Sequence, residues 1–158
     1  MTAMDARTAR VLEQIGSAWR DLQSSWQDLP DEALTTPGVT GDWTVKDILA
    51  HVTTWEDGTM IDIADLMTGR PASWYGEPEG GIDGFNAAAA EDKASLTLDQ
   101  VRHDLEETHA RLLAFVPTIP PDLLDGASKV GNRLRDDTWD HYPEHTEAIL
   151  AWRARHLA

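Results

Sequence analysis

The spacing of the apolar residues constrains this chain most, because it repeats with the period of an α-helix in several separate stretches. The first stretch carries apolar side chains three or four positions apart, at Leu12, Ile15, Trp19, Leu22, Trp26 and Leu29. That spacing places them on one face of a helix. Pro30 follows this stretch and is expected to end the helix.

Three further long helices are predicted by the same period and by helix-boundary residues. The second begins at Thr44, where Thr44 to Asp47 fit a capping box, and ends before Gly69. A third runs from Thr97 to Pro117, and a last one runs from about Asp136 to Arg155. Four such helices bury their apolar faces against one another, so we predict an all-α fold, a four-helix bundle.

The connection between the second and third long helices is typical of an ordered loop. Residues 69–84 are rich in glycine and proline, yet they include Trp74 and Tyr75, which a flexible linker does not normally carry. The sequence then predicts a short helix over residues 86–94. No stretch alternates with period two for long enough to indicate a strand. The length of 158 residues suits a single domain covering 1–158.

Charge and composition exclude several classes of partner. With 28 acidic and 13 basic residues, the formal net charge of −15 repels nucleic-acid phosphates and anionic lipid surfaces. No apolar run is long enough for a membrane helix, and the first ten residues do not form a targeting signal, so we expect a cytoplasmic protein. The absence of cysteine excludes disulfides, cysteine ligands and a cysteine nucleophile.

Three histidines form the candidate site. His141 and His145 lie four positions apart, which is one turn on the same side of a helix and is the spacing of a bidentate metal clamp. His51 lies on the shoulder of the apolar face of the second helix. The three imidazoles either satisfy hydrogen bonds inside the core or converge on one divalent metal ion. Three protein ligands leave an open coordination position, which suits catalysis.

The remaining histidines are weaker candidates. His103 lies among charged residues and is interpreted as exposed, and His156 lies in the last turn of the chain. His109 lies near an apolar stripe. A core role is favoured for His109 over a role as a hydrogen-bond partner of the metal ligands.

Two segments carry a resemblance to a known family. Residues 42–56, Asp-Trp-Thr-Val-Lys-Asp-Ile-Leu-Ala-His-Val-Thr-Thr-Trp-Glu, and residues 138–145, Thr-Trp-Asp-His-Tyr-Pro-Glu-His, resemble the two signatures of the DinB/YfiT-like superfamily. The resemblance covers nearly the whole chain. It implies a bundle, often a homodimer, that holds a zinc- or nickel-like ion through His51, His141 and His145. It also implies use of a low-molecular-weight thiol such as mycothiol or bacillithiol, and a relation to maleylpyruvate isomerase.

A neighbouring branch shares other motifs. The Asp-Gly-Phe-Asn of residues 83–86, the His141-Tyr142 pair and the later Trp152-Arg153 are similar to motifs of ClbS/DfsB-like proteins. That branch includes a hydrolase that protects against a reactive genotoxin, and metal dependence is not its hallmark. The similarity implies the same fold with a different chemistry.

The leading functional prediction is a metal-dependent transferase or isomerase that uses a low-molecular-weight thiol on a small electrophile. Trp55, Trp74, Tyr75 and Asn86 are the candidate substrate contacts, with packing as the alternative for the aromatic residues. Two alternatives stay open. One is a metal-independent hydrolase or resistance protein, and the other is a non-catalytic stress protein that binds a small molecule without turnover. We expect a small-molecule ligand and a homodimer, with no nucleic acid or membrane as partner.

Overall fold

Helices make up the architecture of the computed structural model, which describes residues 2–157. Its α-helices are α1 (Ala6–Trp26), α2 (Asp31–Leu34), α3 (Val45–Met67), α4 (Gly81–Lys93), α5 (Leu98–Phe115), α6 (Lys129–Asp137) and α7 (Tyr142–His156). Two 3-10 turns, Val116–Thr118 and Pro121–Leu124, follow α5. The β-type pairing recorded within residues 2–157 is one isolated bridge between Thr40 and Trp43. The predicted all-α fold is therefore confirmed.

The starts of α3 and α5 are set by capping boxes, as the sequence predicts. The Thr44 hydroxyl accepts the backbone N–H of Asp47, and the Asp47 carboxylate accepts the backbone N–H of Thr44. Thr97 and Gln100 exchange the same pair of bonds at α5. Each box satisfies two backbone donors that would otherwise lack partners at a helix N-terminus. Because the first box fixes the start of α3, it also fixes the position of His51 on that helix.

The four long helices, α1, α3, α5 and α7, enclose the apolar core. Helix α1 packs against α7, and α3 packs against α5 and α6. The largest fully buried side chains come from every long helix and from α6 and the segments between them: Ile15, Leu22, Leu34, Ile48, Leu49, Ile63, Leu105, Leu112, Ile119, Leu134, Tyr142 and Trp152. Helix α3 also contacts α2, α4 and α7, and it forms one wall of the bundle.

The predicted N-terminal boundary of the last helix is wrong. The sequence predicts one helix from about Asp136, but the structure has α6 ending at Asp137, a turn over 138–141, and α7 beginning at Tyr142. The physical reason is Pro143, which lies in the first turn of α7. Proline lacks the N–H needed inside a helix and clashes with the preceding turn, whereas it is favoured at a helix start.

The short helix before α5 also differs from its predicted start. The sequence predicts a helix from Asn86, whereas α4 begins at Gly81. Gly80 precedes it with a φ of 85°, a left-handed conformation that glycine adopts without strain. The glycines that indicate a loop therefore turn the chain directly into α4. None of the helices in residues 2–157 is both long and apolar enough to cross a membrane.

Candidate metal centre

His51, His141 and His145 converge at one point between α3 and α7. The Nε2 atom of His141 lies 3.1 Å from Nε2 of His51 and 2.9 Å from Nε2 of His145. One potential ligand atom from each residue lies within 4.8 Å of the other two. The structure therefore brings together the three histidines that the sequence singles out, although they come from segments 90 residues apart.

The local backbone explains why the side chains of His141 and His145 point to the same side of α7. His141 is the residue that caps α7, and His145 lies in the first turn of that helix. The backbone N–H groups of His141 and Tyr142 both donate to the Thr138 carbonyl, at 2.9 and 2.8 Å. This turn holds His141 one helical turn before His145, even though His141 lies outside the helix proper.

The donor chemistry of the three imidazoles fits a metal ion. A neutral imidazole nitrogen offers either one lone pair or one hydrogen, so Nε2 of His141 satisfies only one of its two neighbours by hydrogen bonding. Ligand nitrogens bound to zinc at about 2.0–2.1 Å in a tetrahedral arrangement lie about 3.3 Å apart, close to the observed separations. Nδ1 of His141 is buried and has no hydrogen-bond partner within residues 2–157.

Burial keeps these imidazoles uncharged. Burial, together with the smaller effect of the neighbouring His141, lowers the pKa of both His51 and His145 to about 3. Burial also lowers the pKa of His141, against the opposing effect of Asp137 and Glu144. Neutral imidazole is the form that coordinates a metal, so the site is in its ligating state at neutral pH.

A cavity of about 660 Å³ opens onto the three histidines. Trp43, Trp55 and Asn86 line part of its wall. Four lining side chains are carboxylates: Asp83, Asp136, Asp137 and Glu144. Within residues 2–157, neither lysine nor arginine lines this cavity. The cavity is therefore an acidic pocket with an aromatic side and three uncharged imidazoles.

The candidate substrate contacts divide into two groups. Trp55 and Asn86 line the cavity and are joined by a hydrogen bond of 2.8 Å from the indole Nε1 to the amide Oδ1. Trp74 and Tyr75 are not among the lining residues and pack against Trp55, with ring centroids 5.3 and 6.2 Å away. Phe85 completes this aromatic cluster. Trp74 and Tyr75 thus support the cavity wall from behind.

A buried polar network lies under the aromatic cluster, and the sequence does not predict it. The Arg133 guanidinium donates to the carboxylates of Asp62 and Asp137, and the Thr59 hydroxyl also donates to Asp137. The guanidinium carbon lies 5.7 Å from the centre of the Trp55 ring. The available signal is the position of Thr59 and Asp62, two polar residues three positions apart on the buried face of α3.

A second buried pair lies deeper in the bundle. Nδ1 of His109 lies 3.2 and 3.1 Å from the two carboxylate oxygens of Glu56, and its ring stacks on Trp19 at 3.5 Å. Burial raises the pKa of Glu56, and the hydrogen bond from His109 opposes that effect. His109 is therefore a core residue, as favoured from the sequence.

His103, His156 and Asp57 do not line the cavity at the three histidines. His103 is exposed and pairs with Glu107, and His156 is exposed near the end of α7. Asp57 pairs with Arg111 at 2.9 Å and does not line the cavity.

Comparison with known proteins identifies relatives in family and in fold. The family model described as "Mycothiol maleylpyruvate isomerase N-terminal domain" matches residues 15–142. A solved structure titled "Sibling Lethal Factor Precursor - DfsB" superposes with a TM-score of 0.80 at 16% identity, covering 96% of this chain and 97% of its own. An uncharacterised protein from Escherichia coli UTI89 gives a TM-score of 0.80 at 16% identity, covering 95% and 94%. At such identities, the likeness concerns the fold alone. No curated protein is significantly similar in sequence.

Proposed function

This chain belongs to the mycothiol maleylpyruvate isomerase N-terminal domain family, and we propose that it binds a divalent metal ion, zinc or nickel, through His51, His141 and His145. We further propose that the chain is a transferase or isomerase that uses a low-molecular-weight thiol on a small electrophile. Membership in the family bears out the resemblance to the DinB/YfiT-like superfamily. The family description names mycothiol, which supports the thiol.

The observation that carries the metal proposal is the meeting of one ring nitrogen from each of the three histidines within 4.8 Å. Neutral nitrogen donors are the ligands that zinc and nickel accept readily. A divalent ion with three protein ligands would keep one position open, at which the pKa of a thiol or of water is lowered. Because the chain has no cysteine, the thiol in this proposal is a small molecule.

The residues of the cavity wall would hold and orient the ligands. The Asn86 oxygen is used by Trp55, which leaves its amide N–H groups to donate to a ligand in the cavity. Trp55 presents an apolar ring backed by Trp74, and this wall excludes water from its side of the site. The volume of about 660 Å³ lies in the range of small-molecule sites.

The charge of the cavity supports an electrophile without carboxylates. Asp136 and Asp137 are paired with Arg135 and Arg133, whereas Glu144 and Asp83 make no ion pair within residues 2–157. A dicarboxylate such as maleylpyruvate would meet four carboxylates and, among the described lining residues, neither lysine nor arginine, so the proposed metal ion alone would offset its charge there. We therefore propose that the electrophile is neutral or carries an amine.

Metal analysis of protein purified without a histidine tag tests the proposal. We expect about one equivalent of zinc or nickel after reconstitution, and loss of that uptake in His141→Ala. His103→Ala is the matched control, because His103 is exposed and lies in α5. Uptake below about a tenth of an equivalent in the wild-type protein, or equal uptake in all variants, contradicts a three-histidine site.

A second candidate function is a metal-independent hydrolase or resistance protein of the ClbS/DfsB kind. It is favoured by the Asp-Gly-Phe-Asn segment, which contributes Phe85 to the aromatic cluster and Asn86 to the cavity wall. This function predicts that His141→Ala and His145→Ala keep activity while Asn86→Ala abolishes it. The metal-dependent function predicts loss in both histidine variants.

A further inference from the structure

We propose that a second cavity, between the first turns of α1 and the α6–α7 connection, binds a small polyanion that carries phosphate or carboxylate groups. This cavity measures about 420 Å³. Its wall includes three arginines, Arg7, Arg10 and Arg135, together with Trp139. It shares no lining residue with the cavity of the candidate metal centre, so the proposal does not depend on the function proposed above.

The charge of this cavity departs from that of the whole chain. The protein has 13 basic residues against 28 acidic ones, yet the lining of this cavity has three basic side chains and one acidic side chain, that of Asp125. The Asp125 carboxylate already accepts the backbone N–H of Ala127 at 3.0 Å. The cavity at the three histidines has the opposite character, with four carboxylates and no basic side chain among its lining residues. The lining of this cavity is therefore more favourable to an anion than the lining at the three histidines.

The three guanidinium groups are not committed to strong ion pairs. Arg10 makes no ion pair within residues 2–157, and Arg7 has one long contact of 3.7 Å with Asp5. Arg135 contacts Asp136 and Asp140 at 3.2 Å, both largely exposed. Exposed pairs of this kind contribute little stability, so the guanidinium groups remain able to bind an anion.

The position of two of these arginines brings no benefit to the helix that carries them. Arg7 and Arg10 lie in the first two turns of α1, and the first turn contains no acidic residue. The dipole of a helix disfavours cations near its N-terminus. Arg7 and Arg10 therefore gain nothing from the dipole of α1, and both are exposed and accessible to a ligand.

The geometry of the lining suits a small organic anion. Arg7, Arg10 and Gln14 follow one another three and four positions apart, so they lie along one face of α1. Val11 and Leu124 form buried apolar parts of the wall. Guanidinium groups bind phosphate and carboxylate oxygens through paired hydrogen bonds, while the apolar wall and the Trp139 ring suit the carbon skeleton of such a ligand.

Calorimetric titration of the full-length, metal-stripped protein with sodium pyrophosphate and with citrate tests this site. We expect saturable one-site binding that weakens as ionic strength rises. Arg10→Gln should weaken it at least about tenfold, since a charge-assisted hydrogen bond is lost. Arg20→Gln is the matched control, because Arg20 is an exposed arginine of α1 that contacts Glu13 and does not line the cavity. This control should bind like the wild-type protein.

The two anions distinguish a phosphate ligand from a carboxylate ligand. Binding of pyrophosphate alone supports a phosphate ligand, and binding of citrate alone supports a carboxylate ligand. Arg135→Gln, from a different helix, should weaken the same binding event, while thermal melting checks that each variant is folded. The proposal is overturned if neither anion binds saturably, or if Arg10→Gln and Arg20→Gln bind equally well.

Discussion

Gly58 lies directly against the indole ring of Trp74. A Cβ atom at position 58 would lie 2.4 Å from ring atoms Cε3 and Cζ3, closer than carbon atoms approach in proteins. Trp74 in turn packs on Trp55, and its backbone N–H donates to Asp62 at 2.9 Å. A glycine inside α3 therefore permits the loop before α4 to support the wall of the cavity.

Substituting this glycine tests that support. Gly58→Ala should destabilise the protein by about 1–2 kcal/mol, because a clash at 2.4 Å places the overpacking cost at about 2–3 kcal/mol, and the gain of roughly 1 kcal/mol from alanine in a helix offsets only part of it. Urea denaturation measures the difference. Gly16→Ala in α1 is the matched control, since its Cβ would meet only the flexible end of Arg20 at 3.2 Å. The control should be neutral or stabilising, and equal stabilisation by both changes would contradict the packing described.

The Arg133 network should be the most sensitive polar part of the fold. Arg133→Met leaves the buried carboxylates of Asp62 and Asp137 without their cation, and loss of one partner of a buried pair costs about 3–5 kcal/mol. Arg70→Met removes an exposed ion pair with Asp65 and should cost at most about 1 kcal/mol. Chemical denaturation of both variants measures the contrast. Similar small losses would show that Arg133 is dispensable.

Metal binding should also stabilise the folded chain. An ion that binds only the native state raises the free energy of unfolding by about 2.7 kcal/mol at a concentration of about 100 Kd. We expect zinc or nickel to raise the Tm of the wild-type protein and of His103→Ala, and to leave His145→Ala unchanged. An equal rise in all three proteins would indicate binding elsewhere, for example at the acidic surface.

The sequence predicts the elements that rest on local chemistry. The capping boxes at Thr44 and Thr97 follow from residue type and spacing, and the structure forms both. The spacing of four positions likewise predicts that His141 and His145 lie side by side, and their Nε2 atoms are 2.9 Å apart. The break between α6 and α7 was accessible through Pro143, since a proline marks a helix start more often than a helix interior. Local signals therefore suffice where a single turn decides the conformation.

Local signals of this kind do not predict the contacts that side chains make across the bundle. Arg133 meets Asp62 71 positions away, and the Glu56–His109 pair joins α3 to α5. Arginines and carboxylates elsewhere in the chain look the same in sequence, yet most of them stay partly or fully exposed. Only the packing of α3 against α5 and α6 decides which of them become buried and paired.

The Glu56 carboxyl should make the stability of the protein depend on pH. It is fully buried, and burial raises its pKa above the ordinary value of 4.5, in surroundings that include His109 and Tyr142. Between the two pKa values the folded state binds a proton that the unfolded chain has released, so stability falls as pH rises through that window. Glu56→Gln cannot ionise and lacks this penalty.

The wild-type protein should therefore lose stability relative to Glu56→Gln as the pH rises from about 4.5 towards neutrality. Urea denaturation of both proteins at several pH values measures this difference. Glu107→Gln removes the carboxylate of an exposed His–Glu pair in the same helix as His109 and should show no such trend. A constant difference between wild type and Glu56→Gln, or one that changes in the opposite direction, would mean that His109 compensates fully for the burial of the Glu56 charge.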